Sequence, residues 1–166
     1  MNKNIIRIIL IVLLIATLVR IFIFSNQSGK ESRALSRRIT IAITQNIKSI
    51  QDLDYNERDK ALDKIEKFIR KLAHFSLYTL VGIFTMAFMS ACNMKKKRQV
   101  LTSILVGILC ASFDELHQYF VSERTALFTD VLIDTAGVCL GVLIVLVTLQ
   151  IYIKIRKKRQ KSIEIT

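Results

Sequence analysis

The residues best equipped for chemistry lie between Asp114 and Asp134, where Asp114, Glu115, Glu123, Asp130 and Asp134 accompany His117, Gln118 and Arg124. Runs apolar enough to cross a bilayer flank this stretch on both sides, and ionisable groups are costly at such positions unless they do something. A second cluster stands upstream. Lys71, His74, Tyr78 and Gly82 are spaced by three, four and four, so they share one helical face. Ser103, Gly107, Ala111, Asp114 and Gln118 form a comparable stripe, small residues low and polar ones high, and Asp130, Asp134, Gly137 and Gly141 form a third.

Three chemistries fit these residue types. His74 or His117 could act as general acid or base beside Asp114, Glu115, Asp130 or Asp134, because imidazole titrates near neutral pH and an adjacent carboxylate tunes its proton affinity. Asp114, His117, His74, Asp130 and Asp134 could ligate a divalent metal, since three- or four-residue spacing lets one helix supply two ligands; no His-Glu-x-x-His is present. Lys71, Arg124 and Arg70 could hold the phosphate of a lipid headgroup. Tyr78, Gln118 and, in the turn after the first apolar run, Ser25 and Gln27 would add contacts at the same level. A structural account competes: Lys71 and Arg124 pair with the carboxylates as interhelical salt bridges that fix register.

Bringing these faces together requires helices in a membrane. The 166-residue chain is 52% apolar with no Pro or Trp and only five Gly, and its mean hydropathy is +0.41, so an all-α membrane protein is expected and turn-rich strand folds are disfavoured. Spans are predicted over 5–24, 72–92, 100–121 and 128–153, with a basic tail over 154–166, in a single membrane domain covering 1–166. Lys3 and Arg7 flank the first run, but no small-x-small cleavage site precedes Ser25, which predicts an uncleaved span. Arg20, near the far end of that run, is placed to snorkel to the headgroups.

In the long connection from Ser25 to Arg70, Leu35, Ile39, Ile43, Ile47 and Ile50, and then Leu62, Ile65, Ile69 and Leu72, recur at three or four residues. The pattern predicts amphipathic helices lying on the membrane surface or over the mouth of the bundle. The net charge of +12 falls in clusters beside the apolar runs, which excludes nucleic acid as a partner and points to membrane lipids. Cys92, Cys110 and Cys139 sit inside apolar runs and read as packing residues.

Four spans put the N-terminus, the Lys95-Lys96-Lys97-Arg98 loop and the tail on one side. All three are short and basic, so that side is expected to be the cytoplasm. Ser25 to Gly29, Lys71, His74, Asp114 to Gln118, Arg124, Asp130 and Asp134 then fall near the extracytoplasmic ends of their helices.

In order along the chain stand Phe24-Ser25-Asn26-Gln27-Ser28-Gly29, Arg70-Lys71-Leu72-Ala73-His74-Phe75-x-x-Tyr78-x-x-x-Gly82, Asp114-Glu115-x-x-Gln118-x-Phe120 with Arg124, and Asp130-Val131-x-x-Asp134-x-x-Gly137. This set resembles the VanZ-like family of small bacterial membrane proteins over most of the chain. Many members resemble Ala-His-Phe-x-Glu-Tyr at the second motif, whereas Leu77 takes the glutamate's place here. The resemblance implies a role in the bacterial cell envelope and, in some relatives, lowered susceptibility to teicoplanin-type glycopeptide antibiotics. The combined expectation is an extracytoplasmic polar pocket that binds or modifies a lipid-linked or surface envelope component. His74, Asp114, Glu115, Asp130 and Asp134 are its acid/base or ligand set; Lys71, Tyr78, Gln118, Arg124, Ser25 and Gln27 contact the ligand, and a divalent metal is one option. The competing expectation is a non-catalytic scaffold.

Overall fold

The computed structural model describes residues 2–163. The end of the expected basic tail, 164–166, lies outside the described residues. Six helices occur in the order α1 (Lys3–Ser25), α2 (Gly29–Thr44), α3 (Lys48–Gln51), α4 (Tyr55–Ala91), α5 (Lys96–Tyr119) and α6 (Phe128–Ile163), and no strand occurs among the described residues. α1, α4, α5 and α6 are each long and apolar enough to cross a membrane, as the four runs require: the chain is a multi-pass membrane protein. Their outer faces carry exposed side chains such as Val12, Leu105, Leu109, Leu143 and Val147, the surface a bundle presents to lipid.

α4 is the hub and packs against every other helix, most extensively α6. Ile21, Tyr78, Val81, Met86, Ala111, Val138 and Val142 form the buried core. The α4–α6 crossing brings backbones together at the glycines. A Cβ on Gly82 would run into the backbone of Val138, and one on Gly141 into that of Thr79, so the Gly137-x-x-x-Gly141 stripe is what lets the two helices approach. At one end of the bundle the Arg7 guanidinium donates to the carbonyl of Ala91 through Nη2 at 2.6 Å and Nε at 3.1 Å, satisfying an end carbonyl of α4. α1 and α4 are therefore antiparallel, with the chain's start and the Lys95–Arg98 turn at the same end.

One expectation needs correction. The separate amphipathic segment of Leu62, Ile65, Ile69 and Leu72 does not exist as a distinct helix: α4 runs unbroken through 37 residues, about 55 Å at 1.5 Å per residue. Its N-terminal half thus projects well past the span. α2 turns a stripe of small residues toward α4 and its apolar side outward. Ser32, Ser36, Thr40 and Thr44 are buried, while Leu35, Ile39, Ile43 and Ile47 are exposed.

The buried hydroxyls satisfy themselves within the helix: Ser36 donates to Ser32 O at 2.8 Å, Thr40 to Ser36 O at 2.9 Å and Thr44 to Thr40 O at 2.8 Å. Small, internally satisfied side chains permit close helix approach, which hydropathy alone does not register. Arg37 crosses the interface to Asp59, Asp63 at 2.8 Å and Glu66 at 3.8 Å. The bond to Asp59 and the neighbouring acids raise its pKa further above an already high value. The start of α2 is fixed by a capping box between Ser28 and Glu31, in which Ser28 N donates to Glu31 Oε2 at 2.9 Å.

Candidate functional site

At the end of the bundle opposite Arg7, α2, α4, α5, α6 and the α5–α6 hairpin enclose a cavity of about 650 Å³. Helical spacing delivers Arg70, Lys71 and His74 to it from α4, Glu115 and Gln118 from α5, and Asp130 and Asp134 from α6; the hairpin adds Arg124. The hairpin is held against the start of α2. Gly29 N donates to Ser122 O at 3.1 Å, a Cβ on Gly29 would collide with the backbone of Glu123, and Glu123 itself is left-handed at φ 59°. Its carboxylate meets Lys30 at 2.9 Å and Arg33 at 3.7 Å.

Gln118 organises the wall. Its Nε2 donates to Asp114 Oδ2 at 2.9 Å and to Ser25 Oγ at 3.2 Å, and its Oε1 accepts from Arg124 Nη1 at 2.8 Å. Arg124 also donates from Nη2 to Phe24 O at 2.7 Å and from Nε to Gln27 O at 3.0 Å. One guanidinium therefore closes the end of α1 against the hairpin. Among the described residues Arg124 forms no ion pair with a carboxylate, contrary to the salt-bridge expectation, because backbone carbonyls and an amide take three of its N–H groups. Burial, and then the nearby Arg70 guanidinium, lower its pKa.

Lys71 does pair: its Nζ meets Asp130 Oδ1 at 2.5 Å, joining α4 to α6. His74 Nδ1 stands 3.9 Å from Asp114 Oδ2, beyond hydrogen-bonding distance. Asp134 is only 3% exposed, lines the cavity, and has no hydrogen bond or ion pair among the described residues. Glu115, which its helical position would also allow to face the headgroups, turns inward and accepts from Leu127 N at 2.5 Å. That contact pins the hairpin where α6 begins.

The structure thus gathers His74, Asp114, Glu115, Asp130, Asp134, Lys71, Gln118 and Arg124 at one end of the bundle. Tyr78, Ser25 and Gln27 differ from the ligand-contact expectation. Tyr78 is fully buried, donates to Cys110 O at 3.3 Å and lies outside the cavity lining; Ser25 and Gln27 stand behind the wall, bonded to Gln118 and Arg124. His117 is apart as well. Its ring packs on Phe22 of α1, 5.1 Å between centroids, and its buried Nε2 has no partner, which removes it from the expected metal set.

Leu77, where the resemblance leads one to expect a glutamate, packs against the apolar core. The charged lining residues missed from sequence are Arg33, Asp63, Glu66, Lys67 and Glu123, whose helix faces could not be oriented without knowing how α2 and the hairpin pack on α4. Among the described residues, the groups able to hold a metal are His74, Asp114 and Asp134, each offering one ligand atom within 4.8 Å of the others. Asp130, also in the expected set, is engaged by Lys71.

Residues 10–150 match the family model described as VanZ/LLP1. No curated protein and no solved structure matches the chain.

Proposed function

The chain belongs to the VanZ/LLP1 family, and from that premise and the geometry of the cavity we propose that it binds the anionic group of a lipid-linked or surface component of the bacterial envelope. The observation that carries this is the pair Arg70 and Arg124. Both line the cavity, and neither forms an ion pair with a carboxylate among the described residues. Two guanidiniums beside a cavity are suited to a phosphate or similar anion, which Arg70 and the two N–H groups that Arg124 has left can grip with charge-assisted hydrogen bonds. Lys71, held by Asp130, adds positive potential at the rim. His74, Asp114, Asp130 and Asp134 supply proton-transfer or ligand groups beneath.

The cavity faces the extracytoplasmic side in this proposal, because Lys3, Arg7, Lys95–Arg98 and the basic run from Lys154 belong to the opposite end. In cells the same binding would alter presentation of the envelope component and lower susceptibility to teicoplanin-type glycopeptides. The test uses the full chain in lipid nanodiscs, with a labelled polyprenyl phosphate competed by phosphatidylglycerol or phosphatidylcholine. The phosphate and phosphatidylglycerol should bind in preference to phosphatidylcholine, and Arg70→Gln should weaken that binding about tenfold, equivalent to about 1.4 kcal/mol. Equal affinity for all three lipids, or an Arg70→Gln variant that binds as the wild type does, would end the proposal. The Lys71–Asp130 bridge favours a second function, a scaffold whose charges only join helices, and the charge exchange described in the Discussion separates the two.

A further inference from the structure

We infer that His74, Asp114 and Asp134 form a binding site for a first-row divalent cation at the floor of the cavity. Three helices each contribute one donor atom, an imidazole nitrogen from α4 and carboxylate oxygens from α5 and α6, all within 4.8 Å of one another. A first-row ion with bonds of about 2.0–2.2 Å holds its ligands roughly 3.0–3.5 Å apart. His74 Nδ1 and Asp114 Oδ2 are already at 3.9 Å, too far for a hydrogen bond and close to the separation that ligands of one ion adopt.

Asp134 is the independent observation. Its side chain is buried, it opens onto the cavity, and no donor or cation contacts it among the described residues. A carboxylate in that position is costly without compensation. Lys71 is committed to Asp130 and Arg124 to Phe24, Gln27 and Gln118, and Arg70, which lines the same cavity, makes no ion pair with Asp134. A second carboxylate, Asp114, offers an oxygen within 4.8 Å of it, so two acidic groups share a place with no cation of their own. A bound dication removes this deficit.

The surroundings also orient the ligands. Gln118 Nε2 donates to Asp114 Oδ2 at 2.9 Å and is itself held by Ser25 and Arg124, the kind of outer support that fixes a ligating carboxylate. One imidazole with two carboxylates suits zinc or manganese better than magnesium or calcium, which favour all-oxygen sites. Three protein ligands leave a position open toward the cavity, where water or the anionic group of a lipid would complete the shell. This deepens the proposal of an anion-binding cavity and rests on it for the identity of that last ligand only.

The test takes the full chain in detergent, freed of any affinity tag and stripped with chelator. Zn²⁺, Mn²⁺ or Mg²⁺ is added, excess is removed by desalting, and retained metal is measured by mass spectrometry alongside the melting temperature. Close to one equivalent of zinc or manganese should remain and raise the melting temperature, while magnesium is lost. Asp134→Asn and Asp114→Asn, both isosteric, and His74→Ala should each reduce retained metal to background; His117→Phe should keep it.

A wild type that retains neither zinc nor manganese, or Asp134→Asn and Asp114→Asn variants that melt cooperatively and retain metal at the wild-type level, would overturn the site. Loss of metal in His117→Phe would overturn the ligand assignment. A chain that prefers anionic lipid but retains no metal refutes this inference alone. One that retains metal but binds lipids indifferently refutes the proposed function alone.

Discussion

Exchanging Lys71 and Asp130 separates a bridge that only joins helices from groups a ligand needs. The ammonium and carboxylate meet at 2.5 Å between α4 and α6, with side chains 41% and 30% exposed. Exposed pairs contribute about 0–1 kcal/mol, and removing one partner from a fully buried pair costs about 3–5 kcal/mol. Exposure between these limits, discounted for solvent screening, sets Lys71→Met or Asp130→Asn at about 1–2 kcal/mol each. For a chain of this size that is a fall in melting temperature of about 2–8 °C. The double neutral variant should recover part of the loss, giving a coupling of about 1 kcal/mol in a double-mutant cycle. Lys71→Asp combined with Asp130→Lys then rebuilds the pair with reversed polarity.

The assays are melting by circular dichroism in detergent and anionic-lipid binding in nanodiscs. With a ligand site, the exchanged protein regains stability but not lipid affinity, because the positive group has moved from α4 to α6. Full recovery of lipid binding would refute the ligand-site reasoning in favour of the scaffold, and a cycle without coupling would refute the bridge itself.

Adding a methyl group at the α4–α6 crossing, Gly141→Ala, should cost about 1–3 kcal/mol by forcing the backbones apart, read as a lower melting temperature; an unchanged value would contradict the close approach. On α2, Ser36→Leu should cost a similar 1–3 kcal/mol while Leu35→Ser stays within about 0.5 kcal/mol, the reverse of what its hydrophobic periodicity predicts, and equal effects would mean the helix packs on its apolar side. Arg124→Lys cannot keep three separate bonds to Phe24, Gln27 and Gln118 and should lower the melting temperature by several degrees; a neutral result would show those bonds to be dispensable. Ser122→Cys, at the tip of the hairpin, should react with an impermeant maleimide on intact cells, and labelling only after the membrane is opened would invert the orientation.

The four spans were legible because an apolar run long enough to cross a bilayer needs no tertiary context to recognise. The gathering of Lys71, His74, Asp114, Gln118, Asp130 and Asp134 at one level was legible too, since three- and four-residue spacing and alternating helix direction place them without any knowledge of contacts. What escaped had other causes. The continuity of α4 was hidden by a change of solvent along its length: charged where it leaves the span and apolar within it, the helix reads as two elements. The packing face of α2 was hidden because hydrophobic periodicity rewards Leu35, Ile39 and Ile43, whereas close approach rewards Ser32, Ser36, Thr40 and Thr44. Charge alone predicts a carboxylate partner for Arg124, yet two of its three partners are main-chain carbonyls, which carry no side-chain signature. Glu115 turned inward for the same reason, its partner being the amide of Leu127.

The unbroken course of α4 has a mechanical consequence. From Tyr55 to Val81 it contains neither glycine nor proline, so it has no built-in hinge between the part braced by α2 and the part buried among the spans. Arg70, Lys71 and His74 sit near its midpoint. The outer arm and the residues at the floor of the cavity therefore belong to one continuous helix, with no flexible joint between them.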